Sequence, residues 1–365
     1  MARTHGFRVF VVQAFENRIK GKTALDVSWG SHAAQQIVEL LDEVHARNTH
    51  FFVPAVAPKD GEPEKPTATL TVDPLVAIRD GLVHVQVSAG EMGSHRHATR
   101  PGRKPTSLKK RSAEAEHFVA FVFPKVSQDR FLIVTQTIRR RDPIERLLAR
   151  MKQISYEQKK AAQEANTEAR KAARLAKVTP PPKETHTKLV FDRRQAADDA
   201  YLDQIVAGAK KATAVFTGYA PNARGEAEQV ERTLRVNLLV DEDLKASARV
   251  SRRWLRRQRK KEAIAPADAV AELGSELTQG LLADDELGAY DKVSVSLRNE
   301  KGETTSIAAD NLRDVFTYPV SDGRPDEIFF YTKVSERLDT IALQEGIEVD
   351  PLDPVEVSEC LEDSA

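Results

Sequence analysis

Residues 139–182 read RRRDPIERLLARMKQISYEQKKAAQEANTEARKAARLAKVTPPP, and the division of the chain turns on them. Ile144, Leu147, Leu148, Met151 and Ile154 recur at helical spacing, a packing stripe for the first half of one long helix. Pro143 suits a first helical turn and Asp142 suits its cap. The pattern predicts a helix from residue 143 to about 177, roughly 50 Å long at 1.5 Å per residue. From Glu157 to Lys177 it is Ala, Lys, Glu, Gln and Arg nearly all round, so that half stands in solvent or bridges domains. Pro180, Pro181 and Pro182 end it and stiffen the exit. The expected division is therefore an N-terminal α+β domain over 1–142, a long helix and Pro-rich connector over 143–182, and a second α+β domain over 183–345. An acidic flexible tail, 346–365, closes the chain. A discontinuous arrangement stays open, in which residues 290–345 pack back on the N-terminal domain and about 186–285 form an inserted module.

Working outward, 365 residues suffice for two domains. A 41% hydrophobic and 30% charged composition predicts a modest core under a charge-rich surface. No apolar run approaches the roughly 18 residues of a membrane span and no signal peptide opens the chain, so a cytoplasmic location is expected. The one cysteine, Cys360, permits no intramolecular disulfide. The formal net charge of 0 hides an asymmetry: residues 262–365 hold 25 Asp/Glu and 7 Lys/Arg, a net −18, which leaves +18 on the rest. A polyanion meets a polarised molecule.

Upstream of the long helix, residues 5–14 read as an apolar strand. Residues 23–29 alternate as a half-buried strand. Ser31 caps a helix through about Ala46 that carries Ile37, Val38, Leu40, Leu41 and Val44. Residues 51–56, 67–72, 82–87, 117–123 and 131–137 read as further strands. Downstream, strands are expected at 188–192, 213–219 and 232–240, with helices at 197–206 and 266–282. Residues 290–298 and 302–308 read as a hairpin, and 326–343 as an amphipathic helix. The sum is an α+β fold of mixed sheets with flanking helices and one long connecting helix.

Residues 249–261 carry eight cations and no acid: Arg249, Arg252, Arg253, Arg256, Arg257, Arg259, Lys260 and Lys261. On a helix, most of them share one face. Leu244, Ala248, Ser251 and Leu255 form a neighbouring stripe, and Trp254 is an amphipathic anchor whose ring can also stack. So dense a cationic face repels itself and selects an external anion, with nucleic-acid backbone the best fit. The competing reading is a solvated face whose acids come from elsewhere in the fold. Two further basic stretches are candidate phosphate contacts: Arg139, Arg140 and Arg141, and a loop with Arg96, Arg100, Arg103, Lys104, Lys109, Lys110 and Arg111 and no acid between Met92 and Ser112, for which a solvated loop is the equal alternative. His95 and His97 flank one residue but complete no metal set.

Catalytic signatures are missing. The chain has no phosphate-binding Gly-rich loop, no Gly-x-Ser-x-Gly and no nuclease spacing among Asp192, Asp198, Asp199 and Asp203. No cofactor, metal or small-molecule substrate is expected, and binding is favoured over catalysis.

Two segments resemble a known family. Phe7-Arg8-Val9-Phe10 after Gly6, then Lys20-Gly21-Lys22, is similar to the opening of RexA, the DNA-binding component of the Rex phage-exclusion system of temperate phages. Lys292-Val293-Ser294-Val295-Ser296-Leu297-Arg298, an Asn/Glu/Lys/Gly turn and the helix after Asp326 resemble its closing segments. The likeness covers about the first 50 and last 60 residues and includes no catalytic motif. It implies a two-domain α+β homodimer that binds double-stranded DNA without strong sequence preference. It further implies phage exclusion, influence on the lysis–lysogeny choice, a RexB-like membrane-protein partner, and a fold related to ring-forming recombination-associated DNA-binding proteins. This chain departs in its longer helix and acidic tail, and no family DNA contact carries over by residue. Competing classes are a nucleic-acid-cleaving abortive-infection effector and a protein-interaction scaffold.

Overall fold

The computed structural model describes residues 5–47, 67–92, 97–98, 106–107, 112–179, 181–182, 187–196, 198–221, 229–238, 250, 253–254, 257, 270, 272, 290, 292–300, 304–308 and 316–363. The elements, in chain order, begin with β1 (His5–Glu16), α1 (His32–Ala46), β2 (Thr67–Val72), β3 (Val76–Arg79), β4 (Leu82–Met92), β5 (His97–Ala98) and β6 (Thr106–Ser107). β7 (Ser112–Val122), β8 (Phe131–Ile138), α2 (Ile144–Leu175), β9 (Leu189–Gln195), α3 (Asp199–Ala207), β10 (Ala209–Pro221) and β11 (Gln229–Leu238) follow. β12 (Lys292–Asn299), β13 (Thr304–Ala308), β14 (Tyr318–Ser321), α4 (Glu327–Glu345) and α5 (Pro354–Glu362) complete them. The fold is mixed α+β with antiparallel sheets.

Two compact units divide the chain: Arg3–Gln195 joins Tyr318–Ala365 in one, and Ala196–Thr317 makes the other. In the larger unit the sheet runs β14-β1-β8-β7-β4-β2, with β9 also on β1 and β3 also on β4. Both faces of this sheet are covered. Phe10, Val12, Val83, Val85, Val119, Phe121, Phe131 and Ile133 join Ile37 and Leu41 of α1 and Leu147, Met151 and Ile154 of α2 in one apolar cluster. The alternate residues point the other way, where Phe330 of α4 meets Phe7 and Phe118 at 6.3 and 5.3 Å between ring centroids. Burial on two faces explains why residues 9–12 and 131–134 read as unbroken apolar runs rather than alternating ones.

α2 has 32 residues, and its half from Glu157 stands in solvent as expected, but it does not bridge two units. Lys177, at φ 55°, reverses the chain: its N–H donates to Arg174 O at 3.2 Å and that of Val178 to Ala173 O at 2.9 Å, a left-handed C-terminal cap. Residues beyond it then run back along the helix. Arg170 donates to Pro181 O at 2.6 Å, and Ser155 Oγ accepts from Leu189 N at 2.8 Å. β9 then pairs with β1 from Phe10↔Gln195 to Glu16↔Leu189. The helix and its Pro-rich exit therefore return to the sheet they left, and the units divide at 195/196 and 317/318, not at 182/183. Residues 292–308 stay with the smaller unit, and the return to the large sheet begins at Tyr318, against Phe7.

Residues 346–363 correct the expectation of a flexible tail. Gly346, at φ 66°, caps α4, and Ile347 N–H donates to Ala342 O at 2.9 Å. The turned chain buries Ile347, Leu352 and Val357. Arg79 donates to Pro351 O at 2.6 Å, to Asp350 O at 3.2 Å and to Glu356 at 3.2 Å, while Lys125 pairs with Asp350. Seven acids without a base mislead, because basic partners lie on β3 and near β7.

Residues 23–29, expected as a strand, are irregular, and their burial does not alternate: Val27 and Ser28 are both buried, with Leu25 and Trp29 half-buried. Their amides donate singly, Leu25 to Ala14 O at 2.8 Å, Val27 to Gln128 O at 2.8 Å and Trp29 to Pro124 O at 2.9 Å, so no ladder forms. α1 does start behind Ser31, whose side chain accepts from Ala34 N at 3.2 Å. The strand expected at 51–56 lies outside the described residues.

The smaller unit is a four-stranded antiparallel sheet, β11-β10-β12-β13. The hairpin read at 290–308 is there, with Ser294↔Ala308 to Arg298↔Thr304 in register.

Candidate nucleic-acid interface

Four residues of the basic stretch are described: Val250, Arg253, Trp254 and Arg257, all helical. Val250 and Trp254 are fully buried, Arg253 is exposed and Arg257 is half-buried. Glu272 joins two of them, accepting from Trp254 Nε1 at 2.8 Å and from Arg257 Nη1 at 3.0 Å. Trp254 carries the largest apolar area of the stretch, so its position sets which face turns inward. Its ring is closed to base stacking. Arg257, placed by sequence on the cationic face, lies with Val250 and Trp254 at i, i+4, i+7 and has an acid partner from elsewhere in the fold. Arg249, Arg252, Arg256, Arg259, Lys260 and Lys261 lie outside the described residues.

Of the other two basic stretches, Arg139–Arg141 is described, and the second lies between the ends of β4 and β7. β4 and β7 pair without slip from Leu82↔Val122 to Met92↔Ser112. β5 and β6 pair His97↔Ser107 and Ala98↔Thr106. Among the described residues β5 and β6 form a separate two-stranded ribbon, and residues 93–96 and 108–111, between it and the β4–β7 pair, lie outside them. Arg103, Lys104, Lys109, Lys110 and Arg111 lie outside the described residues.

Where β4 ends, the turn after β8 comes alongside. Ile138 N–H donates to Arg141 O at 2.9 Å and Arg141 N–H to Ile138 O at 3.0 Å. Between them Arg139 and Arg140 have φ of 51° and 66°, the positive pair of a type I′ turn. Asn-Gly is the relaxed choice there; each arginine costs about 1–2 kcal/mol of backbone strain. Both are exposed, and neither has a carboxylate partner among the described residues. Glu91 instead engages the neighbouring cations, Arg146 at 3.2 Å and Arg141 at 3.9 Å, while Arg146 also donates to Gly90 O at 2.6 Å. These contacts place the turn beside the Met92 end of β4.

Behind the turn, Asp142 holds the start of α2. Its carboxylate accepts from Ile144 N at 3.2 Å and from Arg8 at 3.0 Å. His117 is buried with Nδ1 3.0 Å from Gln136 O, and burial pushes its pKa down. Burial, and then the Arg324 guanidinium, lower that of His5. Sequence reasoning missed Arg146 and Glu91, because nothing local marks residues that meet only when two strands and a helix converge.

Among the described residues no group of three potential metal ligands comes together and no helix is long and apolar enough to cross a membrane. Compared with protein families, curated proteins and solved structures, the chain finds no match in any of the three.

Proposed function

We propose that this chain binds double-stranded DNA without strong sequence preference, through the basic stretch between β4 and β7 and the arginine turn beside the end of β4. One observation supports the reading: Arg141 and Arg146 contact Glu91 and Gly90 at the end of β4, so the arginine turn lies beside the point where the second basic stretch, 93–111, begins. Between Met92 and Ser112 the sequence holds seven Arg/Lys and no acid. A two-stranded ribbon with basic flanks suits a duplex groove and its phosphates. The helix around Trp254 takes second place, since Glu272 already serves Arg257. The RexA-like resemblance extends the proposal to phage exclusion by a homodimer with a membrane-protein partner, without catalysis.

A salt series tests it. Fluorescence anisotropy on random duplex should show log affinity falling with log salt at about −0.9 per phosphate contacted. Replacing Arg103, Lys104, Lys109, Lys110 and Arg111 with Gln should flatten that slope. The same change at Arg252, Arg253 and Arg256 should do less. Duplex affinity untouched by the ribbon changes would remove this interface, and no low-salt binding would remove the function.

A further inference from the structure

Two features of the turn call for more than charge. Strain at both Arg139 and Arg140 is avoidable, since cations can be presented from any relaxed exposed position. A tight turn with both ends closed by hydrogen bonds instead fixes where the two guanidinium groups leave the backbone. Position matters little for a phosphate, which a flexible lysine neutralises, but it matters for a narrow slot. The tip is two residues wide. The B-DNA minor groove is about 6 Å wide, and where it narrows its negative potential draws arginine. Glu91 holds Arg146 at 3.2 Å and touches the largely exposed Arg141 only at 3.9 Å, while Arg139 and Arg140 have no carboxylate partner among the described residues.

Resting on the proposed duplex binding, we infer that Arg139 and Arg140 form a two-pronged wedge that enters the DNA minor groove. The ribbon beside it holds the flanking backbone. The site takes duplex DNA with an unobstructed minor-groove floor, and so prefers A·T over G·C, whose guanine 2-amino group fills the groove.

The test uses the full chain and three duplexes of equal length, A·T-rich, G·C and inosine·C. Inosine lacks only the 2-amino group, so the G·C and I·C duplexes differ in the minor groove while presenting the same major-groove edge. The parent protein should bind the A·T and I·C duplexes roughly three- to tenfold tighter than G·C. An R139K/R140K variant keeps the charge, so it should keep most of the salt slope yet lose that preference. An R139N/R140G variant relaxes the turn. It should melt about 4–8 °C higher, bind every duplex more weakly and show a salt slope shallower by about 2. Equal binding of G·C and I·C by the parent would overturn groove entry while leaving phosphate contact and the broader reading intact. A preference that survives in R139K/R140K would move the groove contact to other residues. Failure to bind any duplex would instead remove the reading beneath it.

Discussion

Tyr331 Oη lies 2.5 Å from His84 Nδ1, joining α4 to β4 across 247 residues of chain. Both side chains are buried, and Phe118 stands 6.0 Å from the imidazole. Burial lowers His84 to about 4 and raises Tyr331, so the neutral imidazole accepts from the tyrosine hydroxyl. The unfolded chain then binds more protons between pH 6.5 and 4. Stability should be fully present above pH 6.5 and fall as pH drops to 4, by up to about 3 kcal/mol from this residue. His117 and His5, also lowered, add in the same direction. Urea midpoints at pH 7.5 and 5 measure the loss. An H84L/Y331F variant should show a smaller one, and an equal loss would place the pH dependence elsewhere.

Tyr331→Phe alone leaves a buried ring nitrogen without its partner. It should cost about 1–3 kcal/mol, more than the double change that removes both polar groups. Equilibrium denaturation of the three variants decides it.

Arg194, near the end of β9, grips Glu345 at the end of α4 in a two-pronged pair, Nη1 to Oε1 at 2.9 Å and Nη2 to Oε2. The Glu345 side chain is only 3% exposed, so a lone Arg194→Met or Glu345→Leu strands a charge. Each single change should cost about 3–5 kcal/mol and the pair together much less. Additive losses in the double-mutant cycle would show that the two groups do not depend on one another.

The smaller unit leaves from Gln195, opposite Phe10, and returns at Tyr318, opposite Phe7, on the same edge of β1. Three residues of strand separate these points, about 10 Å. Replacing 196–317 with a short Gly/Ser linker should therefore leave a folded larger unit, with cooperative melting and dispersed amide resonances. An aggregated or molten product would mean that the unit needs its insert.

Truncation before Ile347 should destabilise the larger unit, because it exposes the apolar surface under Leu352 and Val357 and strips Arg79 of its partners. Val357→Ala should cost about 1–2 kcal/mol by itself. An unchanged melting temperature in the truncated protein would return these residues to the status of a loose acidic tail.

The elements themselves were largely legible in the residues. Ser31 and Asp326 cap helices where their side chains reach the third amide on, and the stripe from Ile144 to Ile154 packs as its spacing predicts. Local signals suffice for these, since caps and periodicity act within a turn or two. Residues 23–29 show the limit of such signals. Alternation points to burial on one side, but Ser28 is buried beside Val27, and a strand also needs a neighbouring edge that the local pattern does not encode.

Helices, hairpins and apolar runs follow from interactions a few residues apart, so the amino-acid order alone dictated them. Destinations did not follow from it. Lys177 and Gly346 each reverse the chain with one left-handed residue, and what lies beyond docks because complementary surface waits there: β1 for β9, Arg79 and Lys125 for the acidic segment. The arginine turn and the Met92 end of β4 likewise become neighbours only through β8, α2 and β4, since contacts between residues some 50 apart depend on how the sheet closes.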